Sequence, residues 1–163
     1  MSPRARHYWL MKSEPEVFSF EDLLAAKGRR AFWDGVRNYQ ARNLMRDAMA
    51  PGDRVLFYHS NADPTGVAGL CEVVKGAQSD PTQFDPEDEH HDPRSDPLEP
   101  TWVGVTVRAL AALPRFVTLA DLKAEPRLAG MGCLARGNRL SVQPVTPKEW
   151  GIVIGLGGLA GKY

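Results

Sequence analysis

A chain of 163 residues, 43% hydrophobic and 25% charged, is long enough for one domain that buries most of the surface its unfolded form exposes. It leaves little room for a second. Its 20 Lys and Arg balance its 20 Asp and Glu, and no apolar run approaches the roughly 20 residues of a membrane span, so a membrane protein is excluded from the expectations and a single globule spanning 1–163 is expected.

Met1–His7 carries arginines with no apolar segment behind it, so no signal peptide is expected and the location is expected to be cytoplasmic. His7–Ser13 is rich in aromatics and bounded by Pro15, which predicts a first strand delivering Lys12 and Ser13 at its end. Phe18–Leu23 places a capping Ser19 three residues before Asp22, with apolar residues set as a staple, and predicts a short helix. In Trp33–Asn43, Gly35 permits a tight turn. Asn38 then caps a helix whose Ala41, Leu44, Met45, Ala48 and Met49 share one face. Arg54–Ser60 and Val67–Val74 read as strands joined through turn residues Asn61–Gly66.

Between Gln78 and Pro100 stand eight carboxylates against Arg94 alone, which leaves the rest of the chain with an excess of seven positive charges. This acidic, proline-rich loop (78–100) is expected to be a solvated excursion on a basic body. Thr101–Leu113 alternates, with Val103, Val105, Val107 and Ala109 on one face. Val117–Leu122 and Val145–Trp150 repeat the capping grammar, the second with Pro147 at the first helical position. Gly137-Asn138 reads as a hairpin turn between Leu134 and Ser141-Val142, and Gly155–Gly158 as a helix stop. About five or six strands with short capped helices between them argue for an α+β domain whose sheet curls toward a barrel.

The chemistry-bearing residues gather at predicted strand ends and at one helix turn: Lys12, Ser13, His59, Ser60 and Asn61, with Trp33, Asn38 and Tyr39. Donors and acceptors beside a tryptophan suit the edge and face of a base, although from the bare residues Trp33 fits a plain core position better. Arg37 and Arg42 flank a helix N-terminus, a potential anion site. No metal or cofactor is expected. His90-His91-Asp92 has no third ligand fixed by spacing, the zinc deaminase signature is absent, and no glycine-rich phosphate loop follows a strand. Cys71 and Cys133 lack partner spacing and read as reduced, packed thiols. A nucleophilic Ser13 helped by Lys12 is disfavoured, because neighbours on a strand point to opposite faces.

Tyr8–Pro15, Trp33–Asn43 and Gly52–Asn61 resemble the signature blocks of the EVE domain, with further similarity through Asp92–Ser95, Gly137–Val142 and Glu149-Trp150. The resemblance covers nearly the whole chain. It implies a PUA-like fold, a curled β-barrel with peripheral helices, related to YTH and ASCH domains. It also implies a non-catalytic reader of modified bases in DNA or RNA, including modified cytosine. Carried onto this sequence, Trp33 is the stacking wall, and Lys12, Ser13, Asn38 and Ser60 are base-edge and phosphate contacts. Tyr39, His59 and Asn61 flank them, and Arg37, Arg42, Arg136 and Arg139 hold phosphates. His90-His91 replaces a tyrosine pair common in the family. Lys12 and the helix N-terminus are further expected to discriminate hydroxymethyl or carboxyl groups on the base. Two alternatives stand beside this reading: an amidohydrolase acting on acylated nucleosides, as in some ASCH relatives, and a module that holds a protein partner through the acidic loop.

Overall fold

Alternation along two adjacent strands sets the layering. β1 (Tyr8–Ser13) sends Trp9 and Met11 to one side and Leu10 to the other, and β3 (Arg54–His59) does the same with Val55 and Phe57 against Leu56 and Tyr58. Strands buried on both faces need a layer on each. In the computed structural model, which describes residues 4–163, α1 (Phe20–Ala25) and α2 (Tyr39–Asp47) cover the Trp9 and Phe57 face. The Leu10 face is covered by α3 (Leu119–Ala124) and α4 (Pro147–Leu156). The first three residues of the expected 1–163 domain lie outside the described residues.

The sheet is mixed and six-stranded, in the order β2-β5-β4-β3-β1-β6, where β2 is Arg30–Phe32, β4 Gly66–Ser79, β5 Val103–Thr118 and β6 Val142–Val145. β1 runs parallel to β3, and every other pairing is antiparallel. The α+β, PUA-like expectation holds, but β2 and β6 each pair on one side only, so hydrogen bonding does not close the sheet into a ring. Repeated register shifts between β4 and β5 supply its curvature, as bulges do.

The four helices begin at the caps the sequence marks. Ser19, Thr118 and Thr146 each form a reciprocal capping box, and Asn38 accepts from the Ala41 N–H at 3.0 Å. The strands depart further from expectation. β4 and β5 outrun their periodic stretches because bulges let the ladder continue past a break in alternation, and β2, three residues long, is too short to show any alternation. The expected hairpin over 134–142 is instead a 3-10 turn (Gly132–Leu134) and a loop held by Asn138. The following β6 pairs with β1, remote in sequence.

The acidic segment is the main correction. Most of its residues are exposed, but it is anchored to the body by buried polar side chains. Asp80 and Gln83 are wholly buried, and Gln83 bonds the Trp102 carbonyl and amide as well as Ser95. The Trp102 indole N–H donates to Asp92 at 2.8 Å. The segment folds back over the start of β5 because its polar side chains replace the hydrogen bonds that regular structure would supply. Among the described residues no helix is long and apolar enough to cross a membrane.

Candidate functional site

A cavity of about 590 Å³ opens at the end of β1 on the Phe57 side of the sheet, within the size range of small-molecule sites. Lys12, Ser13 and Glu14 form one wall and Val17 and Phe18, before α1, the next. Ala31 and Phe32 of β2 lead into Trp33, Asp34 and Gly35, and Glu89 and His90 of the acidic segment face them.

Trp33 is held on several sides. Its N–H donates to the Val105 carbonyl at 2.7 Å, and its ring meets Phe57 edge to face at 5.3 Å. Gly104 permits the approach, since a Cβ there would stand 2.1 Å from the Trp33 carbonyl oxygen. The residue is 8% exposed, so it is at once a core tryptophan and a lining residue. The core position is realised, and one edge of the residue is left to the cavity.

Gly35 closes the turn with φ +77°, and a Cβ there would lie 2.9 Å from the His90 ring. Its N–H donates to buried Asp80 at 2.8 Å. Asp80 also accepts from the Thr82 N–H and hydroxyl and from the Arg37 guanidinium at 3.1 Å. Burial alone would raise the Asp80 pKa, but these hydrogen bonds outweigh it and hold the carboxyl below its ordinary value. His90 sits 3.1 Å from the Asp88 carboxylate, and Arg37 donates to the His90 carbonyl at 3.0 Å. The acidic segment therefore supplies an imidazole wall.

Of the residues expected around a base, Lys12, Ser13 and Trp33 line the cavity, but two do so differently from expectation. The Lys12 ammonium stands 5.7 Å from the Tyr58 ring centroid, on the other face of the sheet. Burial lowers its pKa there, and raises Tyr58 to about 12 and Cys133 to about 11. It is thus poorly placed to discriminate groups on a base stacked against Trp33. The Ser13 hydroxyl donates to the Phe18 carbonyl at 2.6 Å. Strand alternation separates the two side chains, so no lysine-activated serine is assembled.

The remaining expected residues serve the frame. Asn38 is the α2 cap. Tyr39 stacks on Trp102 at 4.8 Å, with Arg42 over both rings and bonded to the Thr101 carbonyl. His59 Nε2 accepts from the Phe20 N–H, and burial lowers its pKa, as a neutral acceptor requires. The Ser60 N–H donates to the Ser13 carbonyl, and Asn61 donates to Glu14 at 2.7 Å. Arg37 spends its donors on Val36, Asp80, Thr82 and His90, so it is a strut and not a free cation. At the start of α2 the Ala41 amide is capped by Asn38, and Arg37 is committed to the protein's own groups. Arg136 and Arg139 are exposed in the loop before β6, which the Lys12 N–H ties to the end of β1 through the Ser141 carbonyl at 2.8 Å.

Sequence reasoning missed Phe18, Phe32, Asp34 and Glu89 as lining residues, and touched His90 only through the family resemblance. Asp34 lay inside the stretch singled out, and its place beside Trp33 was the available signal. Nothing local marks Glu89 or His90.

The EVE domain family model matches residues 7–156. Thymocyte nuclear protein 1 of Danio rerio is 46% identical over 165 residues, an alignment covering 91% of this chain and 71% of that protein. The Homo sapiens protein of that name is 43% identical, with 91% and 73% covered. Among solved structures, human THYN1 protein in complex with 5-methylcytosine containing DNA superposes with a TM-score of 0.88 at 43% identity, covering 93% of this chain and 97% of that one. A Zymomonas mobilis ASCH mutant protein, at 14% identity and a TM-score of 0.54, shares the fold.

Proposed function

Because this chain belongs to the EVE domain family, we propose that it is a non-catalytic reader of modified DNA, holding a base of the 5-methylcytosine class against Trp33 in the cavity. The observation that carries this is the cavity walled by a braced tryptophan, in a chain whose fold matches that of a relative crystallised with 5-methylcytosine containing DNA. Arg136 and Arg139, exposed in the loop tied to the end of β1, hold flanking phosphates. Stacking is worth about 1–3 kcal/mol per base, while taking a base out of a duplex costs a few kcal/mol. Stacking alone does not favour an extruded base, so edge contacts must supply the rest. The absence of a catalytic role is supported by Ser13, whose proton is committed to a backbone carbonyl.

Fluorescence anisotropy with labelled oligonucleotides that differ only in one cytosine, methylated or not, tests the reading. Wild type is expected to prefer the methylated strand. Trp33→Ala should weaken that binding roughly 5- to 150-fold, the equivalent of the stacking energy, and Trp33→Phe should retain most of it, with denaturation curves confirming that both variants fold. Equal affinity for the two strands in wild type, or a preference untouched by Trp33→Ala, would sink the proposal.

A further inference from the structure

The cavity is acidic although the body around it is basic. Glu14, Asp34 and Glu89 line it, and the one lysine in its wall sends its ammonium to Tyr58 on the opposite face of the sheet. Two of the acids are otherwise engaged or open to water. Glu14 accepts from Asn61, and the Glu89 side chain is 81% exposed. Asp34 is different. It follows the stacking wall directly in the chain, and no donor from another described residue bonds its carboxylate. It is exposed at the cavity mouth, so its carboxylate is free to accept from a ligand that enters.

The choice of donor follows from base chemistry. 5-Methylcytosine and thymine present the same ring size and the same methyl group, so a tryptophan face distinguishes them poorly. They differ where cytosine carries an N4 amine and thymine an O4 carbonyl. A carboxylate accepts from the amine and meets the carbonyl as one acceptor facing another. We infer that Asp34 accepts a hydrogen bond from the exocyclic amine of the bound base, and so selects cytosine and its 5-methyl form over thymine. This rests on the base-reader proposal above. Burial, followed by the nearby Asp80, pushes the Asp34 carboxyl pKa up; His90 draws it down, and Asp88 adds a smaller upward push. A more basic carboxylate is a stronger acceptor. The same ring of acids disfavours a base with an anionic substituent, the reverse of what Lys12 would have provided had its ammonium faced the cavity.

Single-stranded oligonucleotides with 5-methylcytosine, cytosine or thymine at one position test this by anisotropy without the cost of base extrusion. Wild type is expected to bind 5-methylcytosine roughly 5- to 150-fold more tightly than thymine, the discrimination of one well-made edge contact. Asp34→Ala should bring that ratio close to one. Asp34→Asn, whose amide donates to O4, should lower or invert it. Asp34 is exposed at the cavity mouth, so neither change should affect folding, and denaturation curves check this. An unchanged ratio in both variants, with methylcytosine still preferred to cytosine, overturns this inference and leaves the reader proposal intact. Equal affinity of wild type for 5-methylcytosine and cytosine overturns the reader proposal, and with it the role of Asp34.

Discussion

Four donors converge on Asp80, a wholly buried carboxylate: the Gly35 N–H, the Thr82 N–H and hydroxyl, and the Arg37 guanidinium. Through them the turn after Trp33 and the acidic segment become one object, with His90 seated over Gly35. Because the folded carboxyl is held below its unfolded value of 3.8, its contribution is fully present above that value and is lost as pH falls through the lower, folded one. Asp80→Asn is therefore expected to destabilise the protein by ~1.5–3 kcal/mol at neutral pH, as expected for loss of hydrogen bonds to a charged group. The deficit should shrink as both proteins are acidified below the ordinary carboxylate range. Urea denaturation at a series of pH values measures it, and a deficit that stays constant into strong acid would show that the charge of Asp80 is not what holds the turn. At this scale the sequence was legible in part. Trp33 and Gly35 announced themselves by residue type, whereas Asp80 was one acid among eight and nothing local distinguished it.

The helices obey rules that operate within one turn, and so could be read from sequence alone. α2 is the clearest case, since Asn38 caps it and Ala41 and Met45 bury its inner face against the sheet. Asn38→Ala is expected to cost about 1 kcal/mol, while Asn38→Ser and Asn38→Asp should cost little, because all three natural caps offer an oxygen to the same amide. Equal losses for Ser and Ala in thermal denaturation would mean that the Asn38 amide has another essential partner. The strands were less legible. The ends of β4 and β5 depend on bulges, and the pairing of β6 with β1 brings residues more than 130 apart into register.

Across the whole molecule, charge is separated: acids gather around the cavity and in the segment that walls it, and the excess of arginine and lysine lies elsewhere. This suits a polyanion whose backbone stays outside while one neutral base enters. Arg136→Ala and Arg139→Ala should weaken binding to methylated and unmethylated DNA by the same factor. Each should also reduce the slope of log affinity against log salt by about one for every phosphate left without its arginine. Variants that changed the methylation preference while leaving the salt slope intact would instead place these arginines at the base.

The sequence by itself determined the α+β class, the helix starts, the turn at Gly35 and the family resemblance, because caps, alternation and tight turns act between residues a few positions apart. Only the tertiary structure decided what the acidic segment does and which side chains face the cavity. Lys12 and Ser13 part to opposite faces of β1, Arg37 is absorbed by Asp80, and His90 crosses from a distant part of the chain to complete a wall with Trp33. Those outcomes depend on how sheet faces and segments remote in sequence pack together, and no local pattern encodes that packing.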